Sequence, residues 1–216
     1  MQTVCARPAG GVTLVLASAS PRRRELLALL GVPFTVRPAG IDETIGAEPA
    51  AAAVHRLARQ KATSVSAELG NAAVLAADTL VTFDGVGLGK PATPEVARRH
   101  LQALRGREHT VVTGVCLRLG GVEAERLVTT RVRMRAYMDS EIEQTIARGT
   151  PFDKAGGYGI QDAAFHPVDS FDGCYCNVMG LPLWTVHGLL EAACSVPRLF
   201  PPDRRSPICA ACPLRA

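Results

Sequence analysis

The stretch 14–31 constrains the fold more than any other part of the chain, because an apolar run passes directly into a well-marked helix. The run ending at Leu16 is typical of a short buried strand. Ser20 is a favourable N-cap residue, and Pro21 suits the first helical position, where its missing N–H is not needed. Gly31 supplies the stop for this helix. A buried strand that leads into a helix favours the α/β class.

Three consecutive arginines, Arg22, Arg23 and Arg24, occupy the first turn of this predicted helix. Positive side chains at the positive end of the helix dipole are unfavourable unless an anion binds there. The free N–H groups of a helix N-terminus are themselves suited to anions. We therefore expect an anion site at this helix end, with three solvated arginines as the alternative.

A lysine stands on the apolar face of the next predicted helix, residues 48–69. Lys61 lies seven residues after Val54, so the two side chains share one face. A lysine in this position either extends its amine along its stem to solvent or delivers it into an interior cleft. The pattern leaves both outcomes open.

An aspartate interrupts the apolar stretch 72–83, which predicts a buried strand. An ionised Asp78 inside such a strand costs several kcal/mol unless it gains a partner, typically a metal, a lysine or backbone donors. Enzymes of the α/β class commonly place their chemistry at the ends of buried strands. Asp78 is therefore the strongest catalytic candidate among the acidic residues.

Three weaker candidates lie in predicted loops. Glu43 belongs to a pair of adjacent carboxylates, and Lys90 is held extended by the proline that follows it. Residues 153–162, DKAGGYGIQD, contain three glycines that let the backbone approach a ligand closely. Lys154 and Gln161 add polar groups at the rim of that segment.

Composition excludes several classes of protein. The chain of 216 residues is 47% apolar and 20% charged, as expected of a soluble globular protein. No apolar run has membrane-spanning length and no signal peptide is evident, so we expect a cytoplasmic protein without a membrane partner. A net charge of +4 suits an anionic small molecule. Scarce aromatic residues argue against nucleic-acid binding.

The predicted strands 109–119 and 127–134 alternate around Gly120 and Gly121, which favours an antiparallel pair. Together with the strand–helix units, the pair indicates a mixed twisted sheet flanked by helices. We expect one domain over residues 1–194, with its core at about 12–194.

The remaining residues, 195–216, are rich in proline and arginine and predict a poorly ordered tail. Cys209 and Cys212 form a single Cys-x-x-Cys motif within it. Without a second pair this motif is weak evidence for zinc or redox chemistry, and we interpret it as incidental, or at most as an adventitious metal or disulfide site. The seven cysteines are expected to be reduced.

Three stretches in this order resemble the Maf family of nucleoside triphosphate pyrophosphatases. They are LASASPRRREL at 16–26, AADTLV at 76–81 with Gly-Lys-Pro at 89–91, and DKAGGYGIQ at 153–161. The resemblance extends over residues 14–190. Asp162 departs from the family pattern, in which a glycine usually follows the glutamine.

The resemblance implies a hydrolase acting on acid anhydrides, with the reaction NTP + H2O → NMP + pyrophosphate. It also implies a Mg2+ or Mn2+ cofactor, a homodimer, and a two-lobed fold with a deep cleft, similar to the inosine triphosphatase fold. Thr79 and the YGIQ run match the family branch selective for dTTP and UTP. The alternatives are a pyrophosphatase for 7-methyl-GTP or a non-catalytic nucleotide-binding regulator of septum formation.

Roles for single residues follow from the residues and this resemblance together. Ser18, Arg22 and Arg23 are expected to hold phosphates, while Lys61, Lys90 and Lys154 neutralise charge. Glu43 and Asp78 face the metal, and Asp78 is either a metal ligand or the acceptor of a proton from water. Thr79 and Gln161, with Arg22, are carried over as specificity positions for the base.

Overall fold

The computed structural model describes residues 12–70, 72–193 and 199–215. Parts of the predicted domain and tail, namely residues 1–11, 71, 194–198 and 216, lie outside the described residues. Within the described part of the chain, no helix combines the length and apolarity needed to cross a membrane.

One mixed sheet of seven strands organises the described residues. The strands are β1 (Leu14–Leu16), β2 (Phe34–Val36), β3 (Ala73–Phe83), β4 (Val86–Leu88), β5 (Glu108–Leu119), β6 (Val122–Met134) and β7 (Val168–Asp172). Their order in the sheet is β2-β1-β3-β5-β6-β7, with β4 paired to β3. The helices are α1 (Pro21–Ala28), α2 (Ala50–Leu69), α3 (Pro94–Leu104), α4 (Asp139–Ala147), α5 (Tyr175–Met179) and α6 (Leu183–Ala192). The α/β class and the mixed sheet flanked by helices are thus confirmed.

The sheet changes from parallel to antiparallel at β3. β1 pairs in parallel with β2 and β3, because α1 and α2 carry the chain back between these strands. β3, β5, β6 and β7 then pair antiparallel, which confirms the predicted antiparallel portion. β6 begins at Val122, earlier than predicted, because Gly120 and Gly121 take φ of 54° and 84° and close a two-residue hairpin.

Helix α2 lies directly against the sheet. A Cβ on Gly114 of β5 would stand 2.5 Å from the carbonyl oxygen of Val54, so a glycine is needed where helix and strand approach. The face that α2 turns to the sheet contains buried Val54, Leu57, Ala58 and Lys61. This close packing carries Lys61 to β3, and the lysine lies inside rather than in solvent.

The described part of the C-terminal segment lies against the core. Residues 199–215 contain two short 3-10 helices, Pro202–Arg204 and Pro207–Cys209. The Trp184 indole donates a hydrogen bond of 2.9 Å to the Cys209 carbonyl, and Phe200 N donates one of 2.8 Å to Leu30 O. A few apolar side chains of the segment pack on the core. The domain bounds and the poorly ordered tail stay predictions.

Candidate active site

All ten side chains selected from the sequence line one cavity of about 540 Å3. They are Ser18, Arg22, Arg23, Glu43, Lys61, Asp78, Thr79, Lys90, Lys154 and Gln161. Its walls come from the loop before α1, from α2 and β3, from the segment 153–161 and from the end of α5. Residues distant in sequence therefore meet at one place.

One wall of the cavity is built around a buried ion pair. Lys61 Nζ lies 2.6 Å from Asp78 Oδ1 and 3.0 Å from Glu43 Oε1. Lys61 and Asp78 are only 5% and 7% exposed, whereas Glu43 is exposed. The sequence left a metal, a lysine or backbone donors as possible partners of Asp78, and the lysine is the one found.

The donor set of this wall fits a hard divalent ion. Glu43 and Asp78 contact the same ammonium group, so both carboxylates are near enough to share one cation. Mg2+ commonly binds one or two carboxylates and takes its other ligands from phosphate and water. Among the described residues, no group of three or more His, Cys, Asp or Glu side chains is already arranged to hold a metal. The protein would thus supply part of the ligand set and the substrate another part.

Arg23 is tied into the floor of the cavity by three contacts. Its Nε donates to the carbonyl of Gly180 at 2.8 Å, Nη2 to Thr79 Oγ1 at 3.0 Å and Nη1 to Ser18 Oγ at 3.4 Å. Burial lowers the pKa of Arg23, and the carboxylates of Asp78 and Glu43 act against that shift. Arg23 is therefore a fixed positive charge between the loop before α1 and the strand β3.

The opposite wall is held by an exposed ion pair that the sequence did not suggest. Arg22 Nη1 donates to Asp153 Oδ2 at 2.6 Å, and Nη2 donates to the Asp153 carbonyl at 2.9 Å. Lys154 Nζ donates to Asp153 Oδ1 at 2.5 Å and to the carbonyl of Thr150 at 2.6 Å. Burial raises the pKa of Asp153, but the hydrogen bonds from Lys154 and Arg22 lower it by more.

The glycine-rich segment 153–161 is packed closely around its polar groups. A Cβ on Gly159 would lie 3.1 Å from Lys154 Cε and 3.2 Å from Gln161 Oε1, which explains the glycine. Tyr158 anchors the segment to β5 through a buried hydrogen bond of 2.6 Å between its hydroxyl and His109 Nε2. Gln161 stays exposed at the rim, so its amide is free to face a ligand.

Two sequence-selected residues have simpler surroundings. Thr79 Oγ1 shares a hydrogen bond of 2.9 Å with Thr113 Oγ1 and accepts the one from Arg23. Lys90 is exposed at the edge of the cavity. The carbonyl of the preceding residue, Gly89, accepts a hydrogen bond from Gly156 N. The sequence placed both residues at the site without indicating these neighbours.

A family model described as "Maf-like protein" matches residues 13–193. The chain belongs to the Maf family. A protein named dTTP/UTP pyrophosphatase from Thermomicrobium roseum is 52% identical over 211 residues, which cover 94% of this chain and 94% of the relative. The resemblance drawn from the sequence motifs is thereby confirmed.

Two further relatives carry the same name. The dTTP/UTP pyrophosphatase of Moorella thermoacetica is 51% identical over 180 residues, covering 82% of this Maf-family chain and 93% of the relative. That of Halalkalibacterium halodurans is 47% identical over 171 residues, covering 79% and 90%. The homodimer, the cytoplasmic location, the two lobes and the likeness to the inosine triphosphatase fold stay predictions.

Proposed function

We propose that this Maf-family protein hydrolyses dTTP and UTP to the nucleoside monophosphate and pyrophosphate. The observation that carries the proposal is a buried Lys61–Asp78 pair inside a cavity that four further cationic side chains line. These four are Arg22, Arg23, Lys90 and Lys154. The relatives named dTTP/UTP pyrophosphatase support the choice of substrate.

The charges of the cavity match those of a triphosphate. Attack by water on a phosphorus atom requires that negative charge be neutralised and that the nucleophile be positioned. The cationic side chains supply the neutralisation at fixed places. Carboxylates alone would repel a triphosphate, so Asp78 and Glu43 are explained by chemistry rather than by binding.

Asp78 accepts the proton of the attacking water. Lys61 Nζ holds Oδ1 at 2.6 Å, which keeps the carboxylate oriented and leaves its other oxygen to take a proton. The position of Lys61 is fixed by the packing of α2 on the sheet, so the base is held in a single orientation. Lys61 also places positive charge near the pyrophosphate that departs.

Glu43 would hold a Mg2+ or Mn2+ ion together with phosphate oxygens, because hard oxygen ligands suit these ions. Asp78 would join Glu43 in its alternative role, as a metal ligand instead of the base. When bound, such an ion neutralises charge on the triphosphate and orients it. Before a metal or substrate binds, Lys61 contacts these same two carboxylates and keeps them close together.

Phosphate binding falls to the loop before α1 and to the helix itself. Arg23 and Ser18 meet at this loop, and the N-terminus of α1 adds its dipole and N–H groups. Lys90 and Lys154 add charge from the mouth and the opposite wall. Arg24, which is exposed, has no part in the site.

Recognition of the base belongs to the other wall. Thr79 lies at the floor, Gln161 at the rim, and Arg22 fixes the segment that carries Gln161 through its two bonds to Asp153. Hydroxyl and amide groups at fixed positions can read the edge of a pyrimidine, and a site built on hydrogen bonds rejects bases that leave them unpaired.

Incubation of the purified protein with a panel of triphosphates tests the proposal. The panel contains dTTP, UTP, CTP, GTP, ATP and 7-methyl-GTP, each with Mg2+ or Mn2+ and each with a chelator as the control. We expect dTMP or UMP with equimolar pyrophosphate, and preference for dTTP and UTP. Inorganic phosphate as the product, or preference for 7-methyl-GTP, would contradict the proposal, as would binding without turnover.

A further inference from the structure

Four cysteines from two distant segments meet beside the core. Cys174 and Cys176 lie at the start of α5, and Cys209 and Cys212 lie in the C-terminal segment. The sulfurs of Cys176 and Cys209 are 3.5 Å apart, and the Cys174 thiol contacts those of Cys176 and Cys212. The four side chains are between 1% and 9% exposed.

The spacing of these sulfurs is not that of a disulfide. A disulfide joins two sulfurs at about 2.05 Å, and all four residues are free cysteines. A tetrahedron of thiolates around zinc, with Zn–S bonds of about 2.3 Å, has sulfurs about 3.8 Å apart. The contact of 3.5 Å between Cys176 and Cys209 is close to that edge.

The sequence spacing is also that of a metal site once both segments are considered. Cys209-x-x-Cys212 has the spacing of a ligand pair in structural zinc sites. Cys174-x-Cys176 is one residue shorter and brings two more thiols from one turn. From the sequence alone only the Cys209–Cys212 pair stands out, because Cys174 and Cys176 lie in another element.

We propose that Cys174, Cys176, Cys209 and Cys212 bind one Zn2+ ion as four thiolates, which fastens the C-terminal segment to α5. In the described residues these thiols are not already set at the distances of a metal centre. Binding therefore includes a small rearrangement of the four thiols around the ion. Soft thiolates select zinc, whereas the carboxylates of the active-site cavity suit harder ions.

The site has a consequence for the cavity. α5 runs from these cysteines to Gly180, whose carbonyl accepts the hydrogen bond from Arg23 Nε, and Met179 lines the cavity. Fixing the first turn of α5 thus supports one wall of the active site. The metal acts there through the backbone, not by contact with substrate.

Zinc content is the direct test. The full chain is expressed with added zinc, purified under reducing conditions, exchanged into magnesium buffer and measured by elemental mass spectrometry. We expect about one zinc per chain and near zero in the double variant Cys209→Ser/Cys212→Ser. Cys116→Ala, which removes a buried thiol of another cluster, and Asp78→Asn should both keep the zinc.

Visible spectra and melting temperatures distinguish loss of the zinc site from loss of the fold. Co2+ in place of zinc should give the absorption bands of tetrahedral thiolate coordination in the wild type and in Cys116→Ala. A zinc chelator should lower their melting temperatures and leave that of the double variant unchanged. Wild-type protein that retains no more zinc than the double variant would overturn the proposal, and so would a Cys176–Cys209 disulfide found in its place.

Discussion

The two walls of the cavity are built in opposite ways. On one wall, Lys61 and Asp78 are a buried pair with side chains 6% and 10% exposed. On the other, Arg22 and Asp153 form a pair whose side chains are 19% and 57% exposed. The first pair sits on a helix and a strand, and the second joins a helix end to a glycine-rich segment.

The difference follows from what holds each wall. α2 touches the sheet at Gly114 so closely that no side chain fits between, which fixes Lys61 over β3. The segment 153–161 turns on Gly156 and Gly157, with φ of 69° and 78°, and is fixed by a few polar contacts. Groups that move protons need the rigid support, whereas groups that select a ligand are commonly carried by loops.

The largest effect on activity is expected at Asp78, the proposed general base. Asp78→Asn should lower kcat roughly 1000-fold, since a general base commonly contributes 100- to 10,000-fold. Binding of a non-hydrolysable dTTP analogue should persist, measured by calorimetry. Asp153→Asn is the matched control on the other wall and should act mainly on KM. Equal losses of kcat in the two variants would remove the distinction between the walls.

The next effect is on stability. Lys61→Met leaves Asp78 buried without its partner and should lower the free energy of unfolding by about 3 kcal/mol. Arg22→Ala breaks an exposed pair and should lower it by less than about 1 kcal/mol. Urea unfolding at pH 7, followed by circular dichroism, measures both. A larger loss of unfolding free energy for Arg22→Ala than for Lys61→Met would mean that the wall of Arg22 and Asp153 is the more rigid one.

A third effect is the dependence of folding stability on pH. Burial lowers the pKa of His109 from 6.5 to about 4, so the unfolded chain binds more protons than the folded one between these values. Stability therefore falls as pH falls through this window, by about 2 kcal/mol between pH 7 and pH 5. Because His109 anchors Tyr158, the wall that contains segment 153–161 carries this sensitivity.

His109→Gln removes the titrating group and keeps a polar side chain near Tyr158. We expect its stability to depend less on pH than that of the wild type, when the free energies of unfolding are compared at pH 7 and pH 5. Parallel pH profiles of the two proteins would show that His109 does not carry the acid sensitivity.

The smallest effect is expected at the rim. Gln161→Ala should reduce the preference for dTTP over CTP by about tenfold, the equivalent of one hydrogen bond or 1.4 kcal/mol. Ratios of kcat/KM from competition between the two substrates measure this. An unchanged ratio would remove Gln161 from base recognition.

Local patterns were enough to select the two residues of the rigid wall. Asp78 stands out because an ionised carboxylate in an apolar strand needs a partner. Lys61 stands out because its helix face is apolar, where its amine either extends to solvent or enters an interior cleft. Both elements were predicted nearly to their ends, since α2 begins at Ala50 instead of residue 48 and β3 at Ala73. That the two residues pair with each other is a matter of packing and was left open.

The other wall was less predictable, because its contacts join residues far apart in sequence. Arg22 and Asp153 are separated by 131 positions, and no local pattern marks them as partners. Arg23 and Thr79 were assigned separate tasks from the resemblance, yet they share a hydrogen bond. Asp162 departs from the family pattern, and its carboxylate caps the next turn by accepting from the N–H groups of Ala164 and Phe165.

The C-terminal segment shows the same limit more plainly. Composition predicted disorder, and the Cys209–Cys212 motif was interpreted as incidental. Cys176 lies 33 positions before Cys209, in a helix of the predicted domain, so only the tertiary structure brings the thiols together. A motif that is weak within one segment becomes specific when two segments meet.

The most direct test of the central claim is the position of oxygen from water in the products. The protein is given dTTP in water enriched in oxygen-18, with the metal that supports turnover, and dTMP and pyrophosphate are separated and analysed by mass spectrometry. Attack on the α-phosphorus by water activated at Asp78 predicts label in dTMP and none in pyrophosphate. Label in pyrophosphate, with unlabelled dTMP, would contradict the account.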